Sequence, residues 1–204
     1  MTAARAAREP QQDRSRETVE RILEAAEQEI GSRGLAAAGT RAIAARAGLS
    51  VGALYRFFPD KDAIVEALTR RYLADLTPAY AATVADVAPG ADLARVVATL
   101  VRQAAELQLA HPGYYRLTEE LPPEDGDSPA HQVRESVVDL FVGALRSAGV
   151  GSTEETELRR AVGLCVETVR HTLVRAPVDP DGRGAVVEEL ARMVAAYVQA
   201  RFTS

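Results

Sequence analysis

Cysteine is almost absent: Cys165 is the single one in 204 residues, so no disulfide can form within the chain and a reducing compartment is the simple reading. No apolar run approaches the roughly 18 residues that a membrane span requires. Met1 to Gln12 carries Arg5 and Arg8 but no apolar stretch of the secretory kind, so a cytoplasmic location is expected. Strand patterning is missing as well, since no segment alternates apolar and polar residues over a useful length. The sequence holds no phosphate-binding glycine loop and no G-x-G-x-x-G after a strand. His111, His131, His171 and Cys165 do not stand at metal-ligand spacings, so neither metal nor cofactor is expected. Glu119, Glu120 and Glu124 suggest paired carboxylates, but in a polar loop they read as solvated surface. Together these absences argue against an enzyme.

What is present is apolar residue in helical spacing. Hydrophobic residues make up 47% of the chain, enough to fill a core, and 26% are charged, which suits a solvated surface. The net charge of −5 hides a local pattern. From Gly31 to Lys61 the basic residues are Arg33, Arg41, Arg46, Arg56 and Lys61, against Asp60 as the only acid. Arg5, Arg8, Arg14 and Arg16 precede them, while acids gather at Glu119 to Asp127 and Glu154 to Glu157. A basic footprint at one end of an acidic molecule can hold phosphate.

Val19, Ile22, Leu23, Ala26 and Ile30 predict a first helix from about Ser15 to Ser32, closed by Gly34. Thr40 reads as the N-cap of a short helix ended by Gly48, and Ser50 as the cap of the next, stopped by Pro59. Asp60 caps a fourth helix, which Pro78 either kinks or breaks. Further helices are expected from Asp92 to His111, around Tyr114 to Glu120, and from Ser128-Pro129 to Gly149. Another opens at a Ser152–Glu155 capping box, and the last runs from Ala185 to about Arg201. The expected fold class is all-α: a three-helix helix-turn-helix domain, then a larger helical ligand-binding and dimerisation domain.

Thr40 to Lys61 carries the chemistry. Two short helices separated by Gly48-Leu49-Ser50 make a helix-turn-helix, with Gly48 free to take the left-handed turn conformation. A plain helical hairpin with Tyr55, Phe57 and Phe58 in its core is the alternative, and Leu54 and Phe58 are core in either case. Thr40, Ile43-Ala44, Ala47-Gly48-Leu49-Ser50, Gly52, Leu54-Tyr55, Phe57-Phe58 and Lys61 together resemble the DNA-binding domain of the TetR family of regulators. The resemblance covers about a quarter of the chain. It departs at Ala53, where the family usually has a hydroxyl, and at Gly39, where many members have a small polar residue.

That resemblance implies an arm over 1–14, a DNA-binding domain over 15–60 and a ligand-binding and dimerisation domain over 61–204. It implies phosphate contacts from Thr40 and Tyr55 and from Lys61 at the start of the fourth helix. Arg41 and Arg56 are candidates for base or phosphate contacts, since the guanidinium fork matches guanine O6 and N7. Ser50, Val51, Gly52 and Ala53 would open the recognition helix, with Phe57 close by.

The C-terminal half is read from its residues. Leu158, Val162, Cys165 and Val169 form one apolar stripe, with Val166 and Leu173 beside it. In the last helix Val187, Leu190, Val194 and Val198 form one stripe and Met193 and Tyr197 another. Stripes wider than one core face point to a homodimer through the last two long helices, with deep burial inside the monomer as the alternative. Polar or aromatic residues on apolar faces, Tyr80, Gln103, His111, Tyr114, Tyr115, Phe141, Thr168, Arg170 and His171, are the candidates for a small-molecule pocket. The expected function is a ligand-responsive regulator that binds double-stranded DNA as a homodimer, most simply a repressor of a palindromic operator. A helical enzyme and a constitutive DNA-binding protein without ligand are the rivals, told apart by turnover and by a solid or hollow core.

Overall fold

The computed structural model describes residues 8–85, 87–120, 128–150, 154–177 and 179–202. In chain order the helices among these residues are α1 (Arg8–Arg33), α2 (Thr40–Arg46), α3 (Val51–Tyr55), α4 (Lys61–Val84) and α5 (Leu93–Ala110), followed by α6 (Pro112–Glu120), α7 (Pro129–Ser147), α8 (Glu155–Arg175) and α9 (Pro180–Phe202). No strand occurs among them, and no helix is long and apolar enough to cross a membrane.

Caps set most of the boundaries. Ser50 Oγ accepts from Ala53 N–H at 3.2 Å, Asp60 Oδ1 from Ala63 N–H at 2.8 Å, and Ser128 Oγ from His131 N–H at 3.1 Å. Asp92 Oδ1 accepts from the amides of Ala94 and Arg95. Each satisfies orphan donors in a first turn. Thr40 is different from expectation. Gly39 takes the N-cap position without a side-chain bond, and Thr40 is the first helical residue. Its hydroxyl turns to Tyr55 instead.

Other boundaries move as well. α1 begins at Arg8, so residues 8–14 of the expected arm are helical, while residues 1–7 lie outside the described residues. Polar helix formers such as Gln11, Gln12 and Arg14 extend a helix without any apolar rhythm to announce it. α8 begins at Glu155 with Glu154 in the cap position and no side-chain cap; Ser152 lies outside the described residues, as does the loop from Pro122 to Asp127. α9 begins at Pro180 rather than Ala185. Asp179 Oδ1 accepts from Gly182 N–H at 2.7 Å, so Asp179-Pro180 is the same cap-and-proline signal as Ser128-Pro129.

α4 runs unbroken through Pro78. Gln103 on α5 braces the stretch after the proline, its amide donating to Ala79 O at 2.8 Å and accepting from Thr83 Oγ1 at 2.9 Å. One continuous core joins both halves. Ile22, Ile43, Leu54 and Phe58 pack together at the N-terminal end, and Leu68 and Tyr72 of α4 carry the core onward. Val187, Leu190, Val194 and Val198 of α9 are all buried, and α9 packs along α5. Each fully buried Leu or Ile contributes about 1.5–3 kcal/mol, so this one stripe accounts for much of the docking of α9.

Candidate DNA interface and internal cavity

The turn between α2 and α3 closes by backbone hydrogen bonds. Gly48 has φ +68°, its N–H reaches Ala45 O at 3.1 Å, and Leu49 N–H reaches Ala44 O at 2.9 Å. This is a Schellman closure, and it needs a residue that tolerates positive φ. Arg21 of α1 donates to the Ala47 carbonyl, which ties the turn to the supporting helix. Glu29 does the same for the end of α2. Its carboxylate is nearly inaccessible and accepts from Arg46 Nε at 2.7 Å. Sequence reading passed over Arg21 and Glu29, because each serves a partner far along the chain.

Arg41, Ser50, Gly52, Tyr55 and Arg56 are exposed, and Thr40, Val51, Ala53, Phe57 and Lys61 half-buried. Thr40 Oγ1 and the Tyr55 hydroxyl lie 3.2 Å apart, so the two side chains expected at phosphates form a pair. Arg41 and Arg56 have no ion-pair partner among the described residues. Gly52 faces open space, with nothing within 4 Å of where a Cβ would stand. The Lys61 ammonium donates to the Leu35 carbonyl, which joins the start of α4 to the loop before α2. Phe57 and Val51 pack against the core, so only part of each is free for a partner.

A second feature lies inside the C-terminal half: an apolar cavity of about 140 Å³ between α4 and α9. Tyr80 of α4, Tyr114 and Tyr115 of α6 and Phe141 of α7 line it, together with Cys165 and Arg170 of α8. The Tyr80 and Phe141 rings meet edge to face at 5.2 Å, as do Tyr114 and Tyr115. Four other candidates stand elsewhere. Gln103 is occupied in bracing α4. His111 caps α5, its Nδ1 3.3 Å from Glu27 Oε1. Thr168 and His171 lie exposed on α8, on the same side as Leu164, which is 60% exposed.

Burial governs the ionisation of this wall. It pushes the Tyr115 hydroxyl up to about 12 and the Cys165 thiol up to about 11. Tyr80 and Tyr114 are held well above the usual phenol range by the same cause. Since the fold favours the neutral forms, the unfolded chain loses these protons first. The stability they contribute is full below the ordinary thiol and phenol values, about 8.5 and 10, and is lost as pH rises through the folded values. The melting temperature is expected to hold up to about pH 8 and then fall steadily toward pH 11. A melting curve unchanged at pH 11 would contradict the burial of these groups.

Residues 22–68 match the model of the bacterial regulatory proteins of the tetR family, and residues 92–197 match the tetracyclin repressor-like C-terminal domain. The chain belongs to the TetR family. Regulators of that family are ligand-responsive DNA-binding proteins of transcription. A TetR-family transcriptional regulator from Streptomyces coelicolor is 26% identical, with a TM-score of 0.67 over 90% of this chain and 98% of that one. FadR from Bacillus subtilis, solved in complex with stearoyl-CoA, is 18% identical with a TM-score of 0.67, over 87% of this chain and 95% of its own. NemR from E. coli, in its reduced form, is 17% identical with a TM-score of 0.66, over 90% and 96%. At these last two identities the likeness is one of fold. No curated protein sequence matches.

In this TetR-family regulator the two matched regions meet at α1, α4 and α6. Arg71 of α4 reaches Glu27 Oε2 of α1 at 2.5 Å, and His111 approaches the other oxygen of the same carboxylate. The Tyr72 ring is fully buried and packs on Tyr114 at 4.3 Å and on the edge of His111 at 5.2 Å. Tyr114 in turn lines the cavity. α6 therefore touches the cavity on one side and α1 on the other.

Proposed function

We propose that this protein is a homodimeric repressor that binds a palindromic operator and is released by a small molecule taken into the α4–α9 cavity. The observation that carries the reading is the pairing of two features in one chain. One is an exposed helix-turn-helix face with two guanidinium groups, Arg41 and Arg56, free of ion pairs; the other is a hollow apolar core. Phosphate and guanine are the natural acceptors for such groups. A constitutive DNA-binding protein would have no need of the cavity.

The dimer is supported by apolar groups left on the outer sides of α8 and α9. Leu164 is 60% exposed, Met193 50% and Tyr197 41%, and Met193 and Tyr197 are one helical turn apart. A two-fold axis through these faces would cover them and set two recognition helices about 34 Å apart, one turn of DNA. α4 begins at Lys61 beside the DNA-binding face and carries Tyr80 in the cavity wall. An effector that favours a different setting of α4 would shift the spacing of the recognition helices. It acts only through its differential affinity for the two states.

The test is selection of genomic fragments by the purified protein, followed by footprinting of the best one. A protected palindrome is expected. Arg41→Ala should weaken it by about 1–3 kcal/mol of binding free energy, or roughly tenfold to a hundredfold. Met193→Arg should lower the sedimenting mass to that of a monomer and abolish the footprint at the same protein concentration. Failure to enrich any fragment at low salt would overturn the DNA reading, and a monomeric wild-type protein would overturn the dimer.

A further inference from the structure

The cavity lining is apolar except for Thr118, the tyrosine hydroxyls and the charged side chains of Arg134, Glu167 and Arg170. Only 15% of the Arg170 side chain is exposed. Its Nε and Nη2 both donate to Glu167 Oε2, at 3.2 and 2.8 Å, and Glu167 is the single acid it pairs with among the described residues. Glu167 is shared, because Arg134 Nε also reaches its other oxygen at 3.2 Å. Arg134 has Glu135 in addition, and Glu135 is itself held by Arg159. The wall of the cavity thus presents two guanidinium groups and one carboxylate, with Glu135 and Asp139 balancing Arg134 and Arg159 behind it.

Arg170 is nevertheless left with an unmet hydrogen bond. Arg170 Nη1 is buried and has no acceptor in the protein. A buried donor without a partner costs about 1–3 kcal/mol, more when the group is charged, and an arginine cannot escape by losing its proton. Arg170 lies close enough to Tyr114 and Tyr115 to oppose the effect of burial on both hydroxyls. The Tyr115 hydroxyl donates to the Ala104 carbonyl at 3.3 Å. Arg170 and the tyrosine hydroxyls therefore bring polar groups to a lining that is otherwise mostly hydrocarbon. The size is informative too: a cavity of about 150 Å³ lined by aliphatic and aromatic side chains holds a benzene ring.

We propose that the effector is a small carboxylate, with an apolar body about the size of one aromatic ring and an anionic head taken by the Arg170 guanidinium. This rests on the reading of the cavity as the effector site. The carboxylate supplies a further acceptor for this arginine and leaves the Glu167 pair in place. Its hydrocarbon part replaces empty space against Val162, Phe141 and their neighbours, gaining contacts that the empty cavity lacks.

Calorimetric titration of the full-length protein with benzoate, its neutral isostere benzamide, and toluene tests this. Benzoate is expected to bind at least tenfold more tightly than benzamide. Arg170→Met should bring benzoate and benzamide to equal affinity while leaving toluene unchanged, and Arg170→Lys should restore part of the preference. Equal binding of benzoate and benzamide to the wild type would overturn the proposal, and so would a preference that survives in Arg170→Met. If Arg170→Met fails to fold, the wild-type ratio decides alone. Toluene binding without a benzoate preference would sink the carboxylate and leave the cavity as an effector site. No binding by any of the three would sink both readings, whereas tight benzoate binding that leaves an operator complex intact would keep the carboxylate site and remove its role as effector.

Discussion

Gly113→Ala is expected to destabilise the protein by about 1–3 kcal/mol, against the direction that helix propensity gives. Within a helix, alanine is better than glycine by up to about 1 kcal/mol, so propensity alone predicts a gain. Geometry reverses the sign. A Cβ on Gly113 would stand 2.3 Å from the Glu27 carbonyl oxygen and 2.8 Å from Glu27 Cγ, where α6 lies against the backbone of α1. The carbonyl belongs to a helix and cannot turn aside, so α6 must move away. Gly143 in α7 is the control, exposed and with open space around it, and Gly143→Ala should stabilise by about 0.5–1 kcal/mol. Thermal melts of the two variants check this, at about 2–4 °C per kcal/mol for a chain of this size. Because α6 also carries Tyr114 and Tyr115, Gly113→Ala should alter any coupling between cavity and DNA. A higher melting temperature for both variants would mean that α1 and α6 are not so closely packed.

Leu54→Ala and Tyr55→Ala should have opposite signatures although the residues are adjacent. Leu54 is 0% exposed at the centre of the helix-turn-helix, and its truncation should cost about 2–5 kcal/mol by leaving a cavity in a short helix that has little else to hold it. Tyr55 is 47% exposed and its hydroxyl bonds to Thr40 alone among the described residues, so its loss should change stability by less than about 1 kcal/mol. Under the regulator reading, Tyr55→Ala should instead weaken operator binding at least tenfold with no change in its salt dependence, since a neutral hydroxyl releases no counterion. Urea melts of both variants, paired with titration of the selected operator at two salt concentrations, separate the effects. An unaltered operator affinity for a folded Tyr55→Ala would remove this residue from the proposed interface. It would also recast the Thr40 pair as purely structural.

Much of the fold was legible because it depends on local chemistry. The caps at Ser50, Asp60, Asp92 and Ser128 sit where short polar side chains precede apolar rhythm, and Gly48 marks a left-handed turn. Local signals erred where a competing partner was remote. Thr40 looked like a cap because the residues next to it permit one, yet its hydroxyl meets Tyr55 across the motif. Gln103, His111, Thr168 and His171 looked like pocket residues because each is polar within an apolar stretch. Gln103 is taken by the backbone of α4 and His111 by Glu27, while Thr168 and His171 face outward with Leu164.

By itself the sequence determined the all-α class, the helix-turn-helix and its exposed basic side chains, since periodicity, capping and a required glycine act within a few residues of each other. Which aromatic residues share a cavity, that Arg170 is left there with an unpaired donor, and that Glu27 and Glu29 tie α1 to partners far along the chain were decided by tertiary structure alone. Burial and pairing depend on what the other helices bring within a few ångströms, and spacing along one helix does not specify its neighbours.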